Sequence, residues 1–521
     1  MRISWIALAI LVGARPLFAE ELGRAYRIAR NEILKEDISG IEDKLARMNL
    51  FEAPAYSAEE WRLSLAECTQ LVLKQNISIK ISYLDLDTTR RDIDKKKAVF
   101  DPNTTLGSEY AHERTPTNAG TSGTVTDSVT NSLAVEKEFF TGGTVILDGS
   151  VVRSGSSDHV HASDYGVSVS QPLLKNFLVD RKRVKISIVN YEIGVETLRD
   201  QIVDRIAEAQ IAYWEIVHAR EVLVARKTAY RQALEILRVA RKGLRIGNRT
   251  KIDVLQAQAS AASRKEDILQ ARKSLQDRED LLKKILSGPV LAGWDERKIV
   301  TDPVEPDFKL EAANPQASLR QALQNRPDYL QALHQLETDQ LDLSIAKNGL
   351  LPNVSVDYRF NLNGTGDSSR NSFDTAFGGR FPGNTAGLTF TMPWFDRSEI
   401  AEYNQKKNDF QSQKLRIKDL ALAIVREVRE RVRQVHTTIE RVRVAQRAYQ
   451  LQELKLEAEQ KRYEIGVATS FEVLTFQQDV ANARVARIRA IVDYYEAIIQ
   501  LWQTLGVTLE KNGIDFDKDA S

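Results

Sequence analysis

Few residues in this 521-residue chain have the type and spacing that chemistry needs. His159 and His161 stand at an i, i+2 spacing that could bring two imidazoles to one metal ion. They lie in a Ser-rich segment with no other His or Cys nearby, so no metal site is expected. Gly364-Thr365-Gly366 lacks the strand-to-helix setting of a phosphate loop and reads as a surface loop. Cys68 is the only cysteine, which excludes a disulfide. No nucleophile comes with a base and an orienting group, and no carboxylate pair has a cleft implied around it. With three Met residues there is no basis for a soft-metal path. Catalysis, a cofactor and a resident metal are therefore not expected. The polar residues that do recur together sit in a turn. Leu244-Arg245-Ile246-Gly247-Asn248-Arg249-Thr250-Lys251-Ile252-Asp253-Val254-Leu255 returns 219 residues later as Tyr463-Glu464-Ile465-Gly466-Val467-Ala468-Thr469-Ser470-Phe471-Glu472-Val473-Leu474. In such a turn Thr250 and Thr469 can cap the helices that follow, and an acid at Asp253 or Glu472 is favoured by the helix dipole.

A Gly, a Thr, an acid and a Val-Leu pair at fixed offsets over so long a period indicate duplication of a whole structural unit. Other landmarks recur in the same order: Ser64-Leu65 with Ser318-Leu319, Asp101-Pro102-Asn103 with Leu351-Pro352-Asn353, and Gln171-Pro172-Leu173 with Met392-Pro393-Trp394. Each unit reads as helix, strands, Pro, long helix, tight Gly turn, helix.

The positioning elements follow from periodicity. Apolar residues at helical spacing from Arg62 to Ala98 predict one helix, ended by Pro102. From Asn353 the chain alternates strictly, with Val354, Val356, Tyr358, Phe360 and Leu362 on one side and Asn353, Ser355, Asp357, Arg359 and Asn361 on the other. After a Gly- and Ser-rich loop from Gly364 to Asn384, Leu388 and Phe390 alternate with Thr389 and Thr391. Such strands fit a barrel wall with lipid outside and water inside, and equally a soluble sandwich. After Pro172 and Pro393 come long helices, reaching about Ile246 in the first copy, roughly 110 Å at 1.5 Å per residue. Ile202, Ala209, Ile216, Leu223, Tyr230, Leu237 and Leu244 recur every seven residues. Ala421, Val428, Val435, Val442, Tyr449, Leu456 and Tyr463 do the same in the second copy, which predicts coiled-coil packing.

Composition bounds the rest. The net charge of +1 with 28% charged residues gives no field for nucleic acid. Met1 to Ala19 reads as a secretory signal, and no later run is long and apolar enough for a membrane helix, so a span would have to use strands. The expected organisation is residues 1–19 as signal peptide, 20–60 as an N-terminal periplasmic extension, and 61–288 as the first repeat with strands at about 102–172. A linker at 289–315, a second repeat at 316–508 with strands at about 353–393, and a tail at 509–521 complete it.

A signal peptide followed by two such copies resembles the TolC-like outer-membrane efflux and secretion proteins, over roughly residues 60 to 510. The resemblance implies a mainly α fold with transmembrane β. It also implies a homotrimer whose subunits share one barrel in the outer membrane and one periplasmic coiled-coil tunnel. A few strands per chain leave open edges that hydrocarbon cannot satisfy, so physics also asks for an oligomer. The implied function is the exit duct of a tripartite efflux or type I secretion system. Its partners would be a periplasmic adaptor, an inner-membrane pump of RND or ABC type, and outer-membrane lipid against Val354, Val356, Tyr358, Phe360, Leu388 and Phe390. Tyr463 and Glu472 match a gating tyrosine and a gating acid in the family's iris, while Thr475 stands where a second acid is expected. A ring of three Glu472 would favour cations; an exposed acid at a helix start is the alternative. The turns at Gly247, Arg249 and Asp253 and at Gly466 and Thr469 would meet the adaptor, or simply cap helices.

Pro102 to Pro172 spans 70 positions whereas Pro352 to Pro393 spans 41, leaving about 29 extra in the first copy. Leu133 to Phe139, a Thr141-Gly142-Gly143 turn, and Val145, Leu147, Gly149 and Val151 predict an added hairpin. That makes six strands per subunit and eighteen per trimer if the pair spans the membrane, with Lys137 on the lipid side. The Arg181-Lys182-Arg183 cluster with Lys185 reads as a solvated helix face or as a contact to headgroups. The rival to a duct is a periplasmic coiled-coil scaffold or adaptor that never spans the membrane.

Overall fold

A computed structural model describes residues 60–116, 123–155, 160–247, 249–286, 298–301, 314–465 and 467–514. The signal peptide, nearly all of the 20–60 extension, most of the 289–315 linker, the end of the 509–521 tail, and His159 lie outside the described residues.

The chain opens on β1 (Glu60–Leu63), then α1 (Leu65–Gln75) and α2 (Ile77–Lys97). One helix is expected from 62 to 98, but Asn76 breaks it with an extended ψ of 123°. Its amide donates to the Ile285 carbonyl at 2.6 Å, and its side-chain oxygen accepts from the Ile79 N–H at 3.2 Å. One side chain thus starts the second helix and ties it to a segment distant in sequence. Ser64 and Glu67 form a capping box at the start of α1. The equivalent cap in the second copy is Asn314, since Ser318 lies a turn inside its helix. The two copies are therefore offset by 250 residues here, as they are at the strand starts Asn103 and Asn353.

β2 (Asn103–Pro116), β3 (Gly123–Glu138), β4 (Thr144–Ser154) and β5 (Val160–Pro172) follow, all antiparallel neighbours. The long helix α3 (Val179–Arg245) turns into α4 (Lys251–Leu286), and β6 (Lys298–Thr301) pairs in parallel with β1. The second copy gives α5 (Pro315–Asn325), α6 (Pro327–Gly349) and β7 (Asn353–Gly366). Pro327 forces Arg326 to extend, which separates α5 from α6. Then come α7 (Ser369–Phe377), β8 (Pro382–Thr391), α8 (Arg397–Glu464), α9 (Ser470–Leu505) and α10 (Thr508–Lys511). α7 occupies the stretch expected to be loop.

The chain forms two compact units. One holds Thr88–Glu192 and His334–Lys414; the other includes Ile193–Leu333 and Leu415–Ser521. The first is built on a six-stranded sheet in the order β2-β3-β4-β5-β7-β8. The added hairpin is thus an integral pair of strands, β3 and β4, inside that sheet. The second unit is helical, and the heptad seam forms its core. Ile202, Ala209, Ile216, Leu223 and Leu237 are buried along α3, as are Val428, Val435, Val442 and Leu456 along α8. Leu244, the last position of the first series, is exposed beside the turn. Trp214 of α3 stacks on Tyr495 of α9, centroids 3.9 Å apart and planes within 6°. Among the described residues no helix is long and apolar enough to cross a membrane.

Candidate functional site

Two regions hold the residues singled out above. The first is the end of the helical unit where α3 turns into α4 and α8 into α9. Gly247 has φ +77° and open space where a side chain would project, so the left-handed backbone is what requires glycine. Gly466 lies outside the described residues. Both returning helices begin with the same device. The N–H and hydroxyl of Thr250 donate to one oxygen of Asp253 at 2.8 and 2.9 Å, and the Asp253 N–H donates back at 3.2 Å. Thr469 and Glu472 repeat it at 2.6, 2.9 and 3.3 Å. Hydrogen bonds from the Thr backbone first, and then from the Thr hydroxyl, hold both carboxyls below the usual carboxylate range. Glu472 is exposed and ionised, but one of its oxygens is committed to the cap. Thr475 donates to the Phe471 carbonyl at 2.9 Å and adds no charge.

The two turns meet. The Arg249 guanidinium sits 4.8 Å from the centre of the Tyr463 ring, a cation–π contact joining the first-copy turn to the second-copy helix. Gly243 makes this possible, because a Cβ there would come within 2.5 Å of Arg249 Cγ. The Tyr463 ring packs against the small cluster of Leu237, Ala240, Val473 and Leu474, while its hydroxyl is buried without a hydrogen-bond partner. Around these groups Ile246, Ile252, Leu255, Ile465, Val467 and Phe471 leave apolar side chains exposed.

Sequence reasoning missed Arg264 on α4. It is buried at 5% exposure, and its two terminal nitrogens donate to the carbonyls of Ala229 on α3 and Leu474 on α9, each at 2.9 Å. Burial depresses its pKa. The signal was a lone Arg between Ala257 and Ala271 at heptad spacing on an otherwise apolar seam.

The second region is the sheet. Register puts Val354, Val356, Tyr358, Phe360, Leu388 and Phe390 on one face with Val169, Val167, Leu147, Val135 and Leu133. All but Val354, which is half-buried, are exposed in β7 and β8. Lys137 joins this face beside Val145, one residue from the end of β3 and 5.9 Å from the Phe139 ring. The opposite face carries Asp148, Asp164, Ser168, Ser170, Asp357, Arg359 and Asn361. Arg359 on β7 reaches over β5 to donate to both oxygens of Asp148 on β4, at 2.8 and 2.6 Å, and to Ser168 at 3.0 Å. It can do so because Gly166 lies beneath it, where a Cβ would sit 2.7 Å from its nitrogen. The added strand β4 is thereby tied to the second-copy strand β7 through polar side chains on one face. The Phe139–Gly143 turn lies at one end of the sheet; the β2–β3, β4–β5 and β7–β8 connections lie at the other. Gly364-Thr365-Gly366 is the end of β7 rather than a surface loop.

The coiled-coil hairpins and the two-faced sheet are those of a known architecture. Crystal structures of similar fold include the outer membrane channel CmeC of Campylobacter jejuni, 18% identical, with a TM-score of 0.64 over 87% of this chain and 88% of that one. VceC of Vibrio cholerae is 16% identical, with a TM-score of 0.63 over 85% and 96%. The open state of MtrE from Neisseria gonorrhoeae is 17% identical, with 0.62 over 85% and 89%. No curated protein sequence matches the chain significantly. The sequence profile of outer membrane efflux proteins, however, matches residues 68–288 and 318–507, both copies of the repeat and little else. With its helical hairpins, its six-stranded sheet and both repeats accounted for, the chain belongs to the outer membrane efflux protein family, and it is an efflux channel of the outer membrane with a periplasmic helical tunnel.

Proposed function

We propose that three copies of this chain close one barrel and one tunnel, forming the passive exit duct of a tripartite efflux or type I secretion system. An RND or ABC pump in the inner membrane and a periplasmic adaptor would complete it. The observation that carries this reading is the six-stranded sheet with one apolar and one polar face and two unpaired edges, β2 and β8. Hydrocarbon tolerates no open edge, so β8 of one copy meets β2 of the next and six strands per subunit make eighteen. The apolar face, with Val354, Val356, Tyr358, Phe360, Leu388 and Phe390, meets lipid, and the Asp148–Arg359 face lines the lumen. Lys137 lies near the Phe139–Gly143 end of its strand, where a charge costs little.

In this reading the meeting helix turns are the gate. Tyr463, clamped by Arg249, narrows the tunnel, and the free oxygen of Glu472 from three subunits makes an anionic ring that favours cations. The exposed Ile246, Ile252, Ile465, Val467 and Phe471 around Gly247, Asp253, Gly466 and Thr469 give an adaptor's helical tips an apolar landing.

The test is to place Lys at Val356 and at Phe390. Each change costs lipid-facing barrels up to about 2 to 4 kcal/mol if near the midplane, less near the rims. The pair is expected to abolish recovery of a detergent-dependent trimer from outer membranes; normal assembly of the double variant sinks the duct. In the assembled wild-type channel, Glu472→Gln is expected to lower cation over anion selectivity in planar bilayers.

A further inference from the structure

α7 lies against the apolar face of the sheet, not across its end. Ser163, Tyr165, Gly364 and Gly366 belong to that face by register, and all four meet the helix. Ser163 donates to the Ser372 carbonyl at 3.0 Å. The Tyr165 ring packs on Phe373 and Phe377, centroids 5.5 and 5.1 Å apart. At Gly364 a Cβ would stand 1.9 Å from the Ser372 carbonyl, and at Gly366 2.7 Å from the Ser372 nitrogen. Two glycines two residues apart on β7 thus form a bed into which the small residues Ser372 and Ala376 settle, both fully buried. This bed is on β5 and β7, interior strands of the sheet, so a neighbouring subunit joined at β2 or β8 does not replace it.

The rest of the helix has a second stripe. Arg370, Phe373 and Phe377 follow at i, i+3 and i+7, which places them on one side. After the Gly378-Gly379 turn, Arg380 and Phe381 continue it. All three phenylalanines are exposed, and neither arginine has an ion-pair partner among the described residues. Three exposed rings continuous with the apolar wall, flanked by two free guanidinium groups at the end of the sheet opposite the Phe139–Gly143 turn, match the boundary of acyl chains and anionic headgroups. Arg is also the side chain best suited to bidentate phosphate binding.

We propose that α7 is an in-plane docking surface for the phosphorylated glycolipid of the outer leaflet. Phe373, Phe377 and Phe381 lie among its acyl chains, and Arg370 and Arg380 bind its phosphates. The inference rests on the outward assignment of the apolar sheet face. The test uses the full-length channel in nanodiscs containing equal amounts of bisphosphorylated lipid A and the same lipid enzymatically dephosphorylated, with retained lipid counted by native mass spectrometry. Wild-type protein is expected to retain the phosphorylated form preferentially. Arg370→Gln with Arg380→Gln is expected to lower that preference roughly 30-fold, at the stabilisation typical of two basic residues near an anionic surface. Phe373→Ser with Phe377→Ser is expected to weaken retention of both forms. An outer-membrane trimer that holds the two lipids equally, or whose preference survives loss of both arginines, overturns the docking surface and leaves the barrel standing. A wild-type chain recovered only as soluble periplasmic protein overturns the barrel reading and the docking surface with it.

Discussion

Arg264 is the point at which the proposed gate at the turns can be loosened without touching them. Its guanidinium links α4, in the first hairpin, to the Leu474 carbonyl of α9, in the second. If the proposed gate opens by parting the two hairpins, this contact belongs to its closed state alone. Replacement by Met keeps the volume and removes the charge. Of its two hydrogen bonds only the one to Leu474 crosses between the hairpins, and a hydrogen bond to a charged group contributes about 1.5 to 3 kcal/mol. Relief of the cost of burying a guanidinium offsets part of that loss. The net weakening of the closed state is then about 2 kcal/mol, which multiplies the open population roughly 30-fold. Single-channel recordings of the purified protein in planar bilayers are the assay. Arg264→Met should lengthen open dwell times and raise mean conductance, and Arg264→Lys, whose single nitrogen cannot span both carbonyls, should fall between. If Arg264→Met lowers the melting temperature but leaves the closed fraction unchanged, Arg264 is only a packing element and the reasoning fails.

Two further outcomes follow from named contacts. Burial first, then the charges of Asp204 and Asp328, push Asp200 on α3 from its ordinary 3.8 up to about 6. A raised carboxyl means that the folded state holds the proton more tightly, so its stabilising contribution is complete below 3.8 and is lost as pH rises through about 6. The full shift would correspond to about 3 kcal/mol, and partial exposure cuts this to about 1 to 1.5. Asp200→Asn should therefore raise the melting temperature at pH 8 and not at pH 4; an equal gain at both would refute the assignment. On the sheet, Gly166→Ala drives a Cβ into Arg359 and should cost about 1 to 2 kcal/mol by breaking its pairs to Asp148. Heat dissociation of the trimer should show Asp148→Asn and Gly166→Ala each lowering the midpoint but not adding, because both remove the same contact.

Much of this architecture was legible because two periods are written plainly in the chain. Seven-residue spacing along α3 and α8 specified buried seams, and strict alternation from Val354 to Leu362 specified a two-faced strand. The added hairpin could be read from the length difference between copies and from Val145, Leu147 and Val151. β2 carried almost no such signal, since Thr104, Leu106, Ser108 and Tyr110 mix polar and apolar residues on one face. What stayed hidden depends on partners far along the chain. Asn76 breaks a helix because Ile285 offers a carbonyl to its side chain. Gly364 and Gly366 looked like loop residues because the helix they seat is formed by the residues that follow. Arg249 and Tyr463 were each singled out, yet nothing local announced that they touch. The capping boxes were half visible: Thr250 and Thr469 could be placed as caps, but not the return bonds that occupy half of each carboxylate.

The two unpaired edges of the sheet also have a consequence in genetics. β2 offers fourteen residues and β8 ten, and a barrel closed by three copies has three seams, each built from one edge of each neighbour. A subunit damaged at either edge can still join through the other, and the ring it enters cannot close. If wild-type and edge-damaged genes are expressed equally and subunits mix at random, roughly one ring in eight is built wholly from intact copies. Lesions at β2 or β8 should accordingly behave as dominant alleles in a merodiploid. Truncations that remove the whole sheet, and so never enter a ring, should be recessive.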